Sequence, residues 1–167
     1  VRSSAVLPEI REFERTNTAA ATAYTQPVMT SYLDQFDTRL ADRGFEQELS
    51  LMQSNGGLAP SSVSKRRSAH TILSGPAAGA TAASYIARET GYDDVISCDM
   101  GGTSFDVALL PGGDPVMTQQ TELDYKLPIR VPMTDITTIG AGGGSIARVE
   151  EDGVLRVGPQ STGADPG

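Results

Sequence analysis

Val95-Ile96-Ser97-Cys98-Asp99-Met100-Gly101-Gly102-Thr103-Ser104-Phe105-Asp106-Val107 is the stretch on which the fold turns. An apolar strand delivers a carboxylate, two glycines and two hydroxyls, and a second apolar strand leaves. Gly101 and Gly102 remove side chains, so backbone N–H groups can approach a phosphate and the turn can take positive φ. Thr103 and Ser104 add hydroxyl donors. A bare anion at Asp99 has no favourable contact with phosphate; it suits Mg2+ held through water, or the orientation of an attacking group. The competing reading is a hairpin whose Asp caps its own turn. There is no Gly-Lys-Ser/Thr and no Gly-x-Gly-x-x-Gly opening a helix, so neither a Walker loop nor a dinucleotide fingerprint is present.

Outward from this loop the chain reads as alternating helices and hairpins. Upstream, Pro76 to Thr90 is a run of small residues with Pro at its start and Gly91 past its end, the asymmetry expected of a helix. Residues from Asn17 to Arg43 also read as helix, with Pro27 expected to break or kink it near Thr25-Gln26. Met29, Tyr32, Leu33, Phe36 and Leu40 form its expected buried stripe, and Gly44 its stop. Leu49 to Gln53 is strand-like and runs into the turn Ser54-Asn55-Gly56-Gly57, which reads equally as a plain turn or a ligand loop. A short helix is expected near Pro60 to Lys65, and a strand over His70 to Leu73 with His70 at its edge.

Downstream, Phe105 to Leu110 turns at Pro111-Gly112-Gly113-Asp114 toward a third strand near Val116 to Thr118. Ile129 to Val131 and Asp135 to Ile139 are strand-like. Ser145 to Val149 and Val154 to Val157 flank the turn Glu151-Asp152-Gly153. The glycines Gly140 to Gly144 admit close backbone approach and are expected to face nucleotide or substrate. Asp106 reads evenly as a supporting carboxylate or an exposed strand residue. The whole is an α/β domain of mixed sheet and flanking helices.

Composition narrows the partners. The 167 residues are 38% hydrophobic and 20% charged, a balance that suits a packed α/β core. A net charge of −8 argues against binding a nucleic-acid backbone. The basic run Lys65-Arg66-Arg67 reads as a solvated helix end. A single cysteine, Cys98, leaves no internal disulfide and no cysteine-based zinc site. No apolar run approaches membrane-spanning length and no signal peptide is visible, so a cytoplasmic location is expected. The absence of an initial Met and the closing turn Asp165-Pro166-Gly167 suggest a fragment.

Asp99-x-Gly101-Gly102-Thr103-Ser104-Phe105-Asp106-Val107 resembles the second phosphate loop of the actin/Hsp70/sugar-kinase superfamily, with Thr103 at the place of a third glycine and Ser104 at that of a threonine. Gly75-Pro76-Ala77-Ala78-Gly79-Ala80-Thr81-Ala82-Ala83 resembles the small-residue helix that precedes it. A closer resemblance is to the A subunit of the hydantoinase/5-oxoprolinase family and the ATP-binding subunits of acetone and acetophenone carboxylases. It rests on Leu7 to Thr16, Met52 to Gly57, Leu73 to Gly79, Asp99 to Val107, Asp135 to Ala147 and Arg156 to Ser161. The chain departs from it at Thr137, where the family often carries His, and at Phe105, where many relatives carry Thr.

This resemblance implies an actin-like (ribonuclease H-like) ATPase domain, of which residues 1–167 are a part. An upstream first phosphate loop is implied but absent from these residues, and a downstream remainder is implied as well. It implies ATP and Mg2+ as cofactors, with Asp99 catalytic and holding Mg2+ through water. Gly101, Gly102, Thr103, Ser104, Gly75, Gly142, Gly143 and Gly144 are the implied nucleotide contacts. The implied reaction is ATP-dependent opening of a cyclic amide of hydantoin or 5-oxoproline type by phosphorylation of its oxygen. The alternatives are an acetone-type carboxylase subunit and another actin-like kinase or ATPase. A hydantoinase B-type partner subunit or domain is implied, and the isolated segment is expected to be inactive.

Overall fold

In a computed structural model the described residues are 1–123 and 126–163; the turn read at Asp165-Pro166-Gly167 lies outside them. They divide into two compact units, Val1–Ala78 with Met117–Thr134, and Gly79–Val116 with Asp135–Gly167. Every strand pairing among the described residues is antiparallel and the sheets are small. The single mixed sheet expected above is therefore not what these residues form.

The first unit is organised by α2 (Glu12–Ala41), preceded by the short α1 (Ser3–Val6). α2 runs uninterrupted through Pro27, correcting the expected break. Pro costs a helix one N–H bond and some crowding, and here the neighbouring turns are anchored by other means. The predicted apolar stripe is buried only in part, at Leu33 and, half-buried, at Met29 and Leu40. Tyr32 and Phe36 are exposed and stack on each other with ring centroids 5.9 Å apart, leaving Leu33 buried. Thr18 and Thr22 are also fully buried. Their hydroxyls donate to carbonyls one turn back, Glu14 O at 2.7 Å and Thr18 O at 2.8 Å, which satisfies polar atoms that burial would otherwise penalise.

This threonine face holds the rest of the unit. Thr18 Oγ1 accepts the Arg130 N–H at 2.9 Å, and Ser68 Oγ meets Thr25 Oγ1 at 2.7 Å. Ser68 opens a 3-10 turn, Ser68–Thr71, where a strand was expected at His70 to Leu73. The serine's anchorage on α2 and the positive φ of 55° at Leu73 keep that segment from extending. β1 (Ser50–Met52) and β2 (Leu58–Pro60) form a hairpin leading into α3 (Ser61–Arg66). A small core gathers Ala69, Ile129, Val131 and Met133.

α4 (Ser74–Thr90) begins in the first unit and continues into the second, as its Pro and Gly punctuation predicts. Its small side chains let Ala80 and Ala83 pack directly on Ala108, Leu110, Val95 and Ile136 of the sheet β3 (Val95–Met100), β4 (Phe105–Leu110) and β9 (Ile136–Ile139). Two further short pairs, β5 (Met117–Thr118) with β8 (Met133–Thr134) and β6 (Thr121–Leu123) with β7 (Leu127–Ile129), belong to the first unit. The strand expected near Val116 to Thr118 is present as β5 but pairs with β8, and the hairpin expected with β4 is reduced to one bond, Val116 N–H to Leu109 O at 3.1 Å. β9 takes the place beside β4. β10 (Ser145–Val149) and β11 (Leu155–Ser161) form the predicted second hairpin.

His70 carries a pH signature. Its pKa is lowered, first by burial and then by the positive charge of Arg67, and its Nε2 has no hydrogen-bond partner among the described residues. An unfolded imidazole takes up its proton near pH 6.5, whereas the folded one resists it to lower pH. The unfolded chain therefore binds more protons in that window, and stability falls as pH drops below about 6.5. His70→Gln should flatten this part of the stability profile, read by urea unfolding at neutral and mildly acid pH. Equal slopes in the two proteins would contradict the assignment.

Candidate functional site

Strand register places the candidate residues before any contact is considered. In the β3–β4 hairpin Asp99 lies directly opposite Asp106, and Met100 opposite Phe105, so residues 101–104 form the connecting loop. Opposed residues share a sheet face. Asp99 and Asp106 therefore stand on the α4-packed face that carries Val95, Ala108 and Leu110 farther along. Two carboxylates opposed in this way repel, and no lysine or arginine pairs with either among the described residues. Asp106 instead accepts a hydrogen bond from Thr138 Oγ1 of β9 at 2.5 Å, from the position directly opposite it. The Asp99 side chain is exposed and makes no hydrogen bond among the described residues.

The loop itself is closed by one internal bond, Gly101 N–H to Ser104 O at 3.0 Å. Neither Gly101 nor Gly102 takes positive φ, so backbone freedom is not why glycine stands there, contrary to the expectation. A Cβ on Gly102 would meet nothing within 4 Å, and one on Gly101 would meet only Ser104 O at 3.8 Å. The space over these two residues is open. The hydroxyls of Thr103 and Ser104 and the N–H groups of Gly102 and Thr103 have no partner among the described residues, and together they form a donor-rich rim.

Behind that rim lies the second glycine loop. Gly143 N–H donates to Gly101 O at 2.8 Å and Gly144 N–H to Gly102 O at 2.8 Å. A Cβ on Gly142 would sit 2.6 Å from Gly101 O and 2.7 Å from both Gly102 C and Ser104 N. The close approach that the glycines admit is thus to the backbone of residues 101–104. A Cβ on Gly144 would meet Gly102 O and Ser161 Oγ at 3.0 Å, and the Gly144 carbonyl accepts Thr162 N–H at 2.8 Å. Ser145 Oγ accepts the Gly142 N–H at 2.9 Å and fixes the turn. Three segments, 101–104, 142–145 and 161–162, are tied in series.

The other sequence candidates fall elsewhere. Gly75 is in the opening turn of α4, in the first unit, with open space where a Cβ would be. The Ser54 to Gly57 turn has structural work for its polar groups. Ser54 donates from both N and Oγ to His70 O, at 2.7 and 2.6 Å; Gln53 Nε2 donates to Ser64 Oγ at 3.1 Å, and Asn55 Oδ1 accepts Gly57 N–H at 2.9 Å. Thr137 faces away from Asp106, opposite Val107. A cavity of about 600 Å3 between α4 and the open edge of β3 reaches from Ile86 and Tyr92 to Asp99. Sequence reasoning singled out neither this cavity nor Thr138; a hydroxyl two residues before Gly140 was the available signal for the latter.

No cluster of three His, Cys, Asp or Glu groups occurs among the described residues. Mg2+ is ordinarily held by one or two carboxylates, waters and substrate phosphates rather than by a full protein cage. The opposed pair Asp99 and Asp106, which no lysine or arginine pairs with among the described residues, fits that partial shell. Among the described residues no helix is long and apolar enough to cross a membrane.

Residues 15–167 match the model of the hydantoinase/oxoprolinase family. The chain belongs to this family. It is 45% identical over 163 residues to the caprolactamase subunit alpha of Pseudomonas jessenii, covering 97% of this chain and 23% of that one. The crystal structure of the ATP-dependent caprolactamase from Pseudomonas jessenii superposes with a TM-score of 0.80 at 44% identity over 99% of this chain and 24% of that one. A nucleotide-free acetone carboxylase, from a study of ATP-dependent acetone carboxylation, gives 0.75 at 28% identity, covering 96% of this chain and 22% of that one. The chain thus spans between 12% and 26% of the length of the curated relatives it matches.

Proposed function

We propose that this chain is the second-phosphate-loop portion of an ATP-dependent cyclic-amide hydrolase with an actin-like ATPase fold. The observation that carries the reading is the open donor rim of residues 101–104, braced from behind by two N–H bonds from Gly143 and Gly144 and flanked by the unpaired carboxylate of Asp99. Its support from relatives is uneven in a useful way. Identity to the solved caprolactamase is 44%, against 28% for the acetone carboxylase, which favours lactam over ketone as the substrate class.

The amide oxygen attacks the γ-phosphorus of ATP and ADP leaves. An amide resists hydrolysis because nitrogen donates into the carbonyl; transfer of the phosphoryl group to oxygen ends that donation. Water then adds to the carbonyl carbon and the C–N bond breaks, leaving a free amine and an acyl phosphate; a second water hydrolyses the acyl phosphate to the carboxylate and releases phosphate. Gly102 N–H, Thr103 N–H and the Thr103 and Ser104 hydroxyls bind phosphate oxygens as charge moves between them. Gly142, Gly143 and Gly144 hold that rim in shape. Asp99 and Asp106 would hold Mg2+, directly or through water, and Thr138 fixes the Asp106 carboxylate. When bound, the ion supplies neutralisation of β- and γ-phosphate charge. A hydantoinase B-type component completes the enzyme.

Assay of the full-length polypeptide with its partner component, offering caprolactam, 5-oxoproline, hydantoin or acetone with ATP, tests the reading. Phosphate release should be coupled to ring opening of one cyclic amide. Coupling to acetone and bicarbonate alone would overturn the lactam assignment, and no ATP consumption with any of them would overturn the ATPase reading.

A further inference from the structure

The basic run Lys65-Arg66-Arg67 is divided by the fold. Lys65 turns to α2 and binds Asp34 at 2.7 Å and Asp37 at 2.8 Å. Arg66 and Arg67 instead join Arg2 around a cavity of about 390 Å3, lined also by Val1, Ala5, Val6 and Gln26. No carboxylate lines it.

The net charge is −8, and Arg11, Lys65, Arg88, Arg130, Arg148 and Arg156 each pair with Asp or Glu. The side chains of Arg2, Arg66 and Arg67 make no ion pair or hydrogen bond among the described residues. Three like charges facing one cavity repel one another, and an acidic chain has carboxylates in excess with which to neutralise them. Guanidinium groups present planar forks of N–H donors that match tetrahedral or planar oxyanions. The Gln26 amide adds a neutral donor. The positive charge of Arg67 is also felt at His70, whose pKa it helps to lower, so this corner of the first unit carries a local positive field.

We infer that the Arg2–Arg66–Arg67 cavity is a binding site for a phosphate-class oxyanion, separate from the loop at 101–104. It lies wholly within the first unit, whereas the loop belongs to the second, so the inference does not rest on the proposed reaction. The shared chemistry is a multiply charged phosphate. Its source is either free inorganic phosphate and its polymers or the phosphate tail of a nucleotide.

The test uses the full-length chain carrying Gly102→Ala, which impairs the loop, and calorimetric titration with tripolyphosphate at constant ionic strength. Saturable binding is expected, weakened at least about tenfold by Arg66→Gln/Arg67→Gln, or about 1.4 kcal/mol. Should the glutamine pair unfold the chain, Arg66→Lys/Arg67→Lys keeps the charge but loses the forks, and at least about threefold weakening is expected. Unchanged affinity in the folded variants overturns the inference, as does a signal reproduced by sodium chloride, or no binding at all. Displacement by ATP as effective as by tripolyphosphate assigns the nucleotide source; displacement by inorganic phosphate alone assigns the free ion.

Discussion

Gly142→Ala is expected to lower stability by about 2–4 kcal/mol and to abolish ATP-dependent turnover together with it. The new Cβ would fall 2.6 Å from Gly101 O and 2.7 Å from Gly102 C and Ser104 N. All three are backbone atoms, so no side chain can swing aside. Overpacking of this kind costs about 1–3 kcal/mol. Separating the loops also removes the Gly143–Gly101 and Gly144–Gly102 hydrogen bonds, each worth about 1 kcal/mol net. Gly140→Ala is the control, because its Cβ meets nothing within 4 Å and its φ is not positive. It should change stability by less than about 0.5 kcal/mol. Urea unfolding of the two variants distinguishes a brace from a mere flexible connection. Equal stabilities would show that the packed loops contribute nothing.

Asp99→Asn should act in the opposite way, leaving the fold intact while reducing turnover by about 10²–10³-fold, the usual cost of losing a group that manages transition-state charge. The side chain is exposed and makes no hydrogen bond within the described chain, so its removal breaks nothing. It also relieves repulsion with Asp106 directly opposite, and stability should be unchanged or slightly higher. Steady-state phosphate release and thermal unfolding measured on the same preparation check both halves. A variant that loses activity and stability in parallel would place Asp99 in the framework instead of the chemistry.

The loop was legible because its information is local. Apolar strand, Asp, two glycines, two hydroxyls and a second apolar strand specify a hairpin whatever the rest of the chain does, and Pro76 and Gly91 punctuate α4 in the same local way. What sequence alone could not provide is which surface a residue meets. Gly140 to Gly144 announced close backbone approach, but whether to a ligand or to another loop depends on the register of β4 against β9, a long-range pairing. α2 misled for a related reason. Its buried face sets Thr18 and Thr22, whose hydroxyls are hidden by bonding back one turn, beside Ala19 and Leu33, while Tyr32 and Phe36 stack together outside. Periodicity counts apolar residues and is blind to that arrangement. His70 was read as a strand residue because a short apolar run follows it; the anchorage of Ser68 on α2, a contact across 46 positions, wins.

Gly102 offers the most direct test of the central claim that residues 101–104 receive nucleotide phosphate. Its φ is not positive and a Cβ there meets nothing within 4 Å, so Gly102→Ala costs the folded chain little. Only a ligand seated on the rim would feel the added methyl. Titration of ATP with Mg2+ into the full-length polypeptide should show affinity reduced at least about tenfold in Gly102→Ala, with an unchanged melting temperature. Wild-type affinity in that variant would contradict the account, because no phosphate could then lie where the loop's open donors point.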